Sequence, residues 1–120
     1  MMAEAGVLSA EAGVLSIDKI AGVTSFDAVA LVRRRLGLER VGHAGTLDPD
    51  ATGVLPILLG EATKLMAYLA DQDKAYLATL QLGVTTDTGD LSGRVLSISP
   101  VDGVDRAQIE VACRGFVGRI

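Results

Sequence analysis

The longest apolar run in the sequence, Val54–Leu59, constrains the fold most strongly because its length suits only one kind of element. Six residues fall far short of the roughly 20 apolar residues that a membrane-spanning helix needs. A run of this length between turn residues is typical of a buried strand, and we predict one over 53–59. Proline lacks the N–H that a sheet ladder uses, so Pro56 predicts an edge strand or a bulge.

Apolar spacing predicts further elements on both sides of this strand. Residues three to four apart predict an amphipathic helix over 26–36, with Ser25 as its N-cap and Gly37 as its stop. Alternation predicts strands over 13–17, 74–82 and 94–99, and helical spacing predicts helices over 61–69 and 104–113. Strands and helices interleave, so the predicted fold class is α+β.

The N-terminus contains an unchanged tandem repeat. The heptapeptide at 3–9 recurs at 10–16, and two copies are too few for a coiled coil. We interpret residues 1–12 as an extension that carries a local duplication, and residues 13–120 as the folded portion.

Composition limits the classes of protein that this chain can join. A length of 120 residues suffices for one domain, and a net charge of −4, taken alone, argues against nucleic-acid binding. The one cysteine, Cys113, excludes an internal disulfide and fits a reducing compartment. No basic residue precedes Lys19, so the N-terminus does not resemble a secretory signal. We therefore expect a cytoplasmic protein that has no membrane segment.

The loop at 41–50 contains the chain's only histidine, His43, and a carboxylate five residues later, Asp48. Functional groups often lie on loops that a rigid scaffold holds. The same residues are also typical of a turn at Asp48-Pro49 and a strand end at His43. Spacing alone favours the turn and leaves both interpretations open.

Several motifs in this region resemble the TruB-type tRNA pseudouridine-55 synthases. The resemblance covers about residues 13 to 120 in order, through the segments 18–19, 22–27, 42–49, 51–56, 60–64, 74–76, 82–83, 86–90 and 116–120. It implies part of the pseudouridine-synthase catalytic fold, a mixed or antiparallel sheet with flanking helices. It also implies isomerisation of uridine to pseudouridine in the T loop of tRNA, with no cofactor and no metal.

The resemblance assigns roles to three residues. Asp48 falls on the family's catalytic aspartate, and His43 and Tyr76 fall on residues that engage the target nucleotide. A carboxylate suits this chemistry, because it can add to the sugar or base as a nucleophile or remove a sugar proton. The sequence leaves these two routes open. The uridine must flip out first, since a stacked base cannot be turned in place. Alternation alone would equally place Tyr76 in a core.

Charge is spread unevenly along the chain. Residues 19–45 carry a net charge of +3, whereas residues 46–112 carry −6. A basic stretch beside the loop at 41–50 is what contact with RNA phosphates requires. The candidate RNA contacts are Lys19, Arg33, Arg34 and Lys64, although solvated surface charge is the simpler explanation for the two arginines and for Lys64. We expect the partner to be the T-arm of tRNA, bound by a monomer.

Two departures from the family pattern matter. Ile20 stands where the family has a proline, and the chain stops at Ile120, before the family's remaining strands and its active-site arginine. We therefore expect a truncated fragment that is inactive, or nearly so, alone. The alternatives are a guide-RNA-dependent dyskerin-type enzyme, a non-catalytic RNA-binding remnant, and an α+β domain with no RNA role.

Overall fold

The computed structural model describes residues 12–119, which divide into two compact units at a boundary after Lys74. The first copy of the duplicated heptapeptide lies outside the described residues, as does the predicted extension apart from Ala12. The first unit contains the loop with His43 and Asp48, and the second contains Tyr76.

The first unit is built on a three-stranded antiparallel sheet. Its strands are β1 (Ala12–Lys19), β2 (Val41–His43) and β3 (Gly53–Gly60), in the order β1-β3-β2. Strand β3 pairs with the whole length of β1. Strand β2 pairs with the C-terminal half of β3. The buried strand predicted over 53–59 is confirmed, because its side chains Leu55, Ile57 and Leu58 are the largest that are fully buried.

The prediction of an edge or a bulge at Pro56 is wrong. Strand β3 is central, and its register with β1 is unbroken. In an antiparallel ladder the N–H and C=O of one residue face the same neighbouring strand. The Pro56 carbonyl accepts from the Ala44 amide at 3.0 Å, so the missing N–H faces the side where β2 has already ended. The shortness of β2 therefore accommodates a proline in a central strand.

Helix α1 (Ser25–Leu36) packs on this sheet through Ala28 and Val29, which join the main buried cluster.

The N-cap of α1 is Thr24 and not Ser25 as predicted. The Thr24 hydroxyl accepts from the Asp27 amide, and the Asp27 carboxylate accepts from the Thr24 amide and hydroxyl. These bonds hold the pKa of Asp27 below its ordinary value. The predicted stop is confirmed, since Gly37 is left-handed with a φ of 64°.

The segment after β3 forms two short helices where the sequence predicts one. A 3₁₀ helix spans Glu61–Leu65, and α2 spans Met66–Ala70. Ala62 of the 3₁₀ helix joins Ala44 and Leu58 in a second small buried cluster. These helices therefore cover the part of β3 next to the loop that follows β2.

The second unit contains a two-stranded antiparallel sheet and a helix. Strand β4 (Val84–Thr86) pairs with β5 (Val95–Ile98), and α3 spans Arg106–Arg114. The predicted strand over 74–82 is wrong, because residues 73–81 form no helix or strand. An alternating segment becomes a strand only where another strand pairs its N–H and C=O groups, and none of the described strands does so.

The predicted α+β class is confirmed for both units, with antiparallel pairing throughout the described strands. No helix within residues 12–119 is long and apolar enough to cross a membrane.

Candidate active site

The candidate site lies on the connection between β2 and β3, residues 44–52, which we call the Asp48 loop. Its first residue, Ala44, is buried. The Ala51 amide donates to the Asp48 carbonyl at 3.0 Å, which closes a four-residue turn around Pro49. The turn predicted at Asp48-Pro49 is therefore confirmed, and it places the carboxylate on a short, tightly connected loop.

The N-terminal side of Asp48 is held by Ser25 at the start of α1. The Ser25 hydroxyl donates to the Leu47 carbonyl at 3.2 Å and accepts from the Leu47 amide at 3.1 Å. Ser25 is 3% exposed, so these bonds have little competition from water. One side chain thus satisfies both backbone groups of the residue before Asp48.

The C-terminal side of Asp48 is held through the carbonyl of Pro49. This oxygen accepts from the Gly22 amide at 2.9 Å and from the Lys19 ammonium at 3.0 Å. Gly22 has a φ of 78°, a conformation that residues with a Cβ rarely adopt. The Pro49 carbonyl is therefore fixed by the segment that joins β1 to α1.

Lys19 is buried, with 2% of its surface exposed. Besides Pro49, its ammonium donates to the carbonyls of Val23 at 2.6 Å and Ile20 at 3.0 Å. An ammonium with three protein acceptors has no donor left for a phosphate. Its charge organises the backbone beside Asp48, and the predicted contact of Lys19 with RNA, which would have to displace one of these acceptors, stays a prediction.

The Asp48 side chain is exposed. None of the ion pairs formed within residues 12–119 involves it. Its backbone is nevertheless held from both sides, at Leu47 and at Pro49. This combination of an accessible carboxylate and a restrained backbone is what a group acting on a bound ligand requires.

His43 is the last residue of β2 and lies at the start of the same connection. Its Nδ1 atom is 3.0 Å from the Gly45 carbonyl. Because a carbonyl oxygen only accepts, a hydrogen bond here needs a proton on Nδ1, and Nε2 takes no part in this contact. The half-buried ring therefore has a defined donor side and a nitrogen available to a ligand.

Tyr76 belongs to the second unit, in the segment without regular structure, and its side chain is 68% exposed. Its predicted role at the target nucleotide stays a prediction. The exposed ring rules out the alternative that Tyr76 belongs to a core within its own unit.

The remaining basic candidates differ in what they contact. The Arg33 guanidinium donates to the Val41 carbonyl at 3.2 Å and so ties α1 to β2. Lys64 pairs with Glu61, which also pairs with Arg40. The hydrogen bond and charge of Lys64, with the charge of Arg40, hold the pKa of Glu61 below its ordinary value. Arg34 is exposed and joins none of the ion pairs in the described part of the chain.

Metal-ligating side chains do not gather at this loop. Across residues 12–119, no group of three or more His, Cys, Asp or Glu residues is placed to hold an ion.

Comparison with known proteins gives consistent matches. The family model described as TruB family pseudouridylate synthase (N terminal domain) matches residues 33–120. The tRNA pseudouridine synthase B of Trichormus variabilis is 50% identical over 108 residues, 90% of this chain and 36% of the relative. That of Thermobifida fusca is 51% identical over 108 residues, 90% of this chain and 37% of the relative.

Among solved structures, one similar chain comes from an H/ACA RNP bound to a substrate RNA containing 2'-deoxyuridine. It is 46% identical with a TM-score of 0.46, over 47% of this chain and 18% of the other.

The match to the family model defines the class of the chain, the N-terminal part of a pseudouridylate synthase. The chain belongs to the TruB family of pseudouridylate synthases. It spans about a third of the length of the curated relatives that it matches.

Proposed function

We propose that this chain is the N-terminal part of the catalytic domain of an enzyme that isomerises uridine to pseudouridine in the T loop of tRNA, with Asp48 as the catalytic residue. The observation that carries the proposal is the exposed Asp48 carboxylate on a loop held from both sides. Membership of the TruB family, with relatives named tRNA pseudouridine synthase B, supports the reaction.

The proposed reaction exchanges one bond for another. The bond from C1′ of the ribose to N1 of uracil breaks, the base turns, and a bond from C1′ to C5 forms. The proton that leaves C5 is balanced by one gained at N1, so the composition is unchanged and we expect no cofactor. Asp48 acts either as a nucleophile that adds to the sugar or base, or as a base that accepts a sugar proton.

Binding of the flipped nucleotide is proposed for His43 and Tyr76. The Nε2 atom of His43 lies at the start of the loop that carries Asp48, and the Nδ1 contact leaves it available to the nucleotide. The exposed ring of Tyr76 offers a face on which a base can stack. Both roles rest on the family resemblance together with these exposures and contacts.

Contact with RNA phosphates is proposed for Arg34 first, because it is exposed and has no ion pair within the described residues. Arg33 and Lys64 have protein acceptors, at Val41 and Glu61, that a phosphate would have to displace. We therefore expect their replacement to weaken RNA binding less than replacement of Arg34. The dyskerin-type alternative is not better supported, since the relatives compared above are named tRNA pseudouridine synthase B.

The 120-residue chain alone is expected to turn over little or no substrate, because it spans about a third of its relatives. We propose that activity requires the remaining strands and the arginine that the family resemblance implies. An enzyme of this kind would meet its tRNA in the cytoplasm.

The test uses a T-arm RNA hairpin with tritium at C5 of the target uridine, since formation of the new bond at C5 releases that label to water. The chain is assayed alone and in a joined protein, in which it is followed by the C-terminal part of the Thermobifida fusca relative. We expect release by the joined protein on the T-arm and none on an anticodon-arm hairpin. Equal release from both hairpins would contradict T-loop specificity, and no release from either would contradict the proposed reaction.

A further inference from the structure

Ser25 connects the start of α1 to the residue before Asp48, across 22 positions of the chain. Its hydroxyl both donates to and accepts from the backbone of Leu47, at 3.2 Å and 3.1 Å. Such a reciprocal pair fixes the two polar groups of Leu47 on one side chain, so movement of that residue breaks two bonds together. Few side chains are better placed to restrain the backbone next to the proposed catalytic carboxylate.

The helix does not need this hydroxyl. The N-cap of α1 is Thr24, whose side chain accepts from the Asp27 amide at 3.0 Å. Ser25 follows the cap, and its hydrogen bonds go to Leu47 and not to the helix terminus. A hydroxyl that is almost completely buried must find partners to offset its lost hydration, and here the Asp48 loop supplies both of them.

We propose that Ser25 is a positioning residue for Asp48, acting through the backbone of Leu47. This inference rests on the proposed function, in which Asp48 acts on the flipped uridine. A reacting group displaced by 1 Å loses on the order of 10²-fold in rate, so a restraint one residue away affects the chemical step. Pro49, on the other side of Asp48, is held independently by Gly22 and Lys19, so loss of Ser25 frees one side only.

The expected consequence is a partial loss of activity. Ser25→Ala removes both bonds to Leu47 and leaves the N-cap of α1 in place. We expect kcat to fall about 10-fold to 100-fold with KM for the RNA nearly unchanged, because the restraint acts on the carboxylate and not on the RNA-binding surface. Ser25→Thr keeps a hydroxyl at the same position, and we expect it to retain most of the activity.

The matched control is Thr24→Ala, one residue away. This change removes the cap and destabilises the same helix without touching Leu47. We expect Thr24→Ala to lower the melting temperature while kcat, measured well below that temperature, stays at the parent value. A kcat in Ser25→Ala equal to the parent's, or a loss that Thr24→Ala reproduces, would overturn the positioning role.

Hydrogen exchange of the Leu47 amide supplies a readout that does not depend on turnover. In the 120-residue chain, Ser25→Ala should raise its exchange rate at least about tenfold, because the amide loses its acceptor and the restraint on its loop. Thr24→Ala should raise it less. Unchanged Leu47 exchange in Ser25→Ala would overturn the inference whatever the enzyme does.

The kinetic measurement uses the 120-residue chain if it shows turnover and the joined protein otherwise, with Asp48→Ala as a reference. If Asp48→Ala keeps full turnover, or if neither form turns over, the proposed function fails, and Ser25 has no catalytic group to position. If Asp48→Ala abolishes turnover and Ser25→Ala leaves it unchanged, only the inference about Ser25 fails.

Discussion

Replacing Lys19 with methionine tests how much the buried ammonium contributes to the first unit. Lys19→Met keeps the unbranched apolar stem and removes the donors to the carbonyls of Ile20, Val23 and Pro49. The Pro49 oxygen keeps its bond from the Gly22 amide at 2.9 Å. The carbonyls of Ile20 and Val23 lose the ammonium, and the backbone bonds between elements supply no replacement within the described residues.

The size of the effect follows from these two carbonyls. Each carbonyl that is left without a partner costs about 1–3 kcal/mol when buried, which gives roughly 2–6 kcal/mol for the pair. Two effects reduce this sum. Ile20 is an exposed residue, so its carbonyl is less costly to leave without a partner than a buried one, and the variant no longer has to desolvate a charge. We therefore expect a net loss of about 1–3 kcal/mol in the free energy of unfolding.

Urea denaturation of the 120-residue chain, followed by circular dichroism, measures this loss. With a slope of about 1–3 kcal/mol per molar, the midpoint should fall by roughly 1 M while the slope stays constant. Lys64→Met is the control, because Lys64 is an exposed lysine paired with exposed Glu61, and such pairs contribute about 0–1 kcal/mol. A Lys19→Met variant as stable as the parent would show that the buried ammonium does not stabilise the first unit.

Three further predictions concern the packing and ends of the elements. Ile57→Ala empties a fully buried position in β3 and should cost about 2–5 kcal/mol in urea unfolding, whereas a cost below ~1 kcal/mol would mean that the core is not packed as described. Asp27 has a lowered pKa, so its ionised form stabilises the folded state above its ordinary value of 3.8, and this contribution is lost as pH falls through the lowered folded value. The stability deficit of Asp27→Asn should therefore shrink as urea titrations move from about pH 5 to below 3.8, and a constant deficit would contradict the assignment. Asp105→Ala removes the N-cap of α3 and should reduce helical circular dichroism of the second unit with a cost of about 1 kcal/mol, while an unchanged signal and stability would argue against that cap.

Sequence patterns predicted the elements whose cause is local. Burial of apolar side chains produces the apolar run at 53–59 and the helical spacing of apolar residues at 26–36. Gly37 ends α1 because glycine readily adopts the left-handed backbone found there. The pattern Thr24-x-x-Asp27 was a signal for the true N-cap, since it allows the reciprocal bonds of a capping box. Ser25 offered an equally good N-cap residue type, which is why the predicted start was one position off.

The wrong predictions depended on neighbours that sequence does not reveal. Pro56 is tolerated in a central strand because β2 ends before reaching it. The alternating segment at 74–82 has the composition of a strand, but no described strand pairs with it. A strand is a property of two segments together, so a pattern in one of them is insufficient evidence.

The candidate site was only partly accessible from sequence. Its loop composition pointed to His43 and Asp48, whereas their proposed roles come from the family resemblance. The sequence predicts Lys19 as an RNA contact, because composition gives no sign that three carbonyl oxygens surround its ammonium. The contact between Ser25 and Leu47 joins positions 22 residues apart, and only the folded chain brings them together.

The catalytic role proposed for Asp48 is tested most directly by comparing two aspartates of the same loop. Asp48→Asn and Asp50→Asn are made in the joined protein, and tritium release from the T-arm hairpin is measured at saturating RNA. Both side chains are exposed, so neither change should disturb folding. We expect Asp48→Asn to lower release by at least about 10²-fold with RNA affinity unchanged, and Asp50→Asn to stay within a factor of about two of the parent. Release by Asp48→Asn at the parent rate would contradict the proposal that the Asp48 carboxylate carries the reaction.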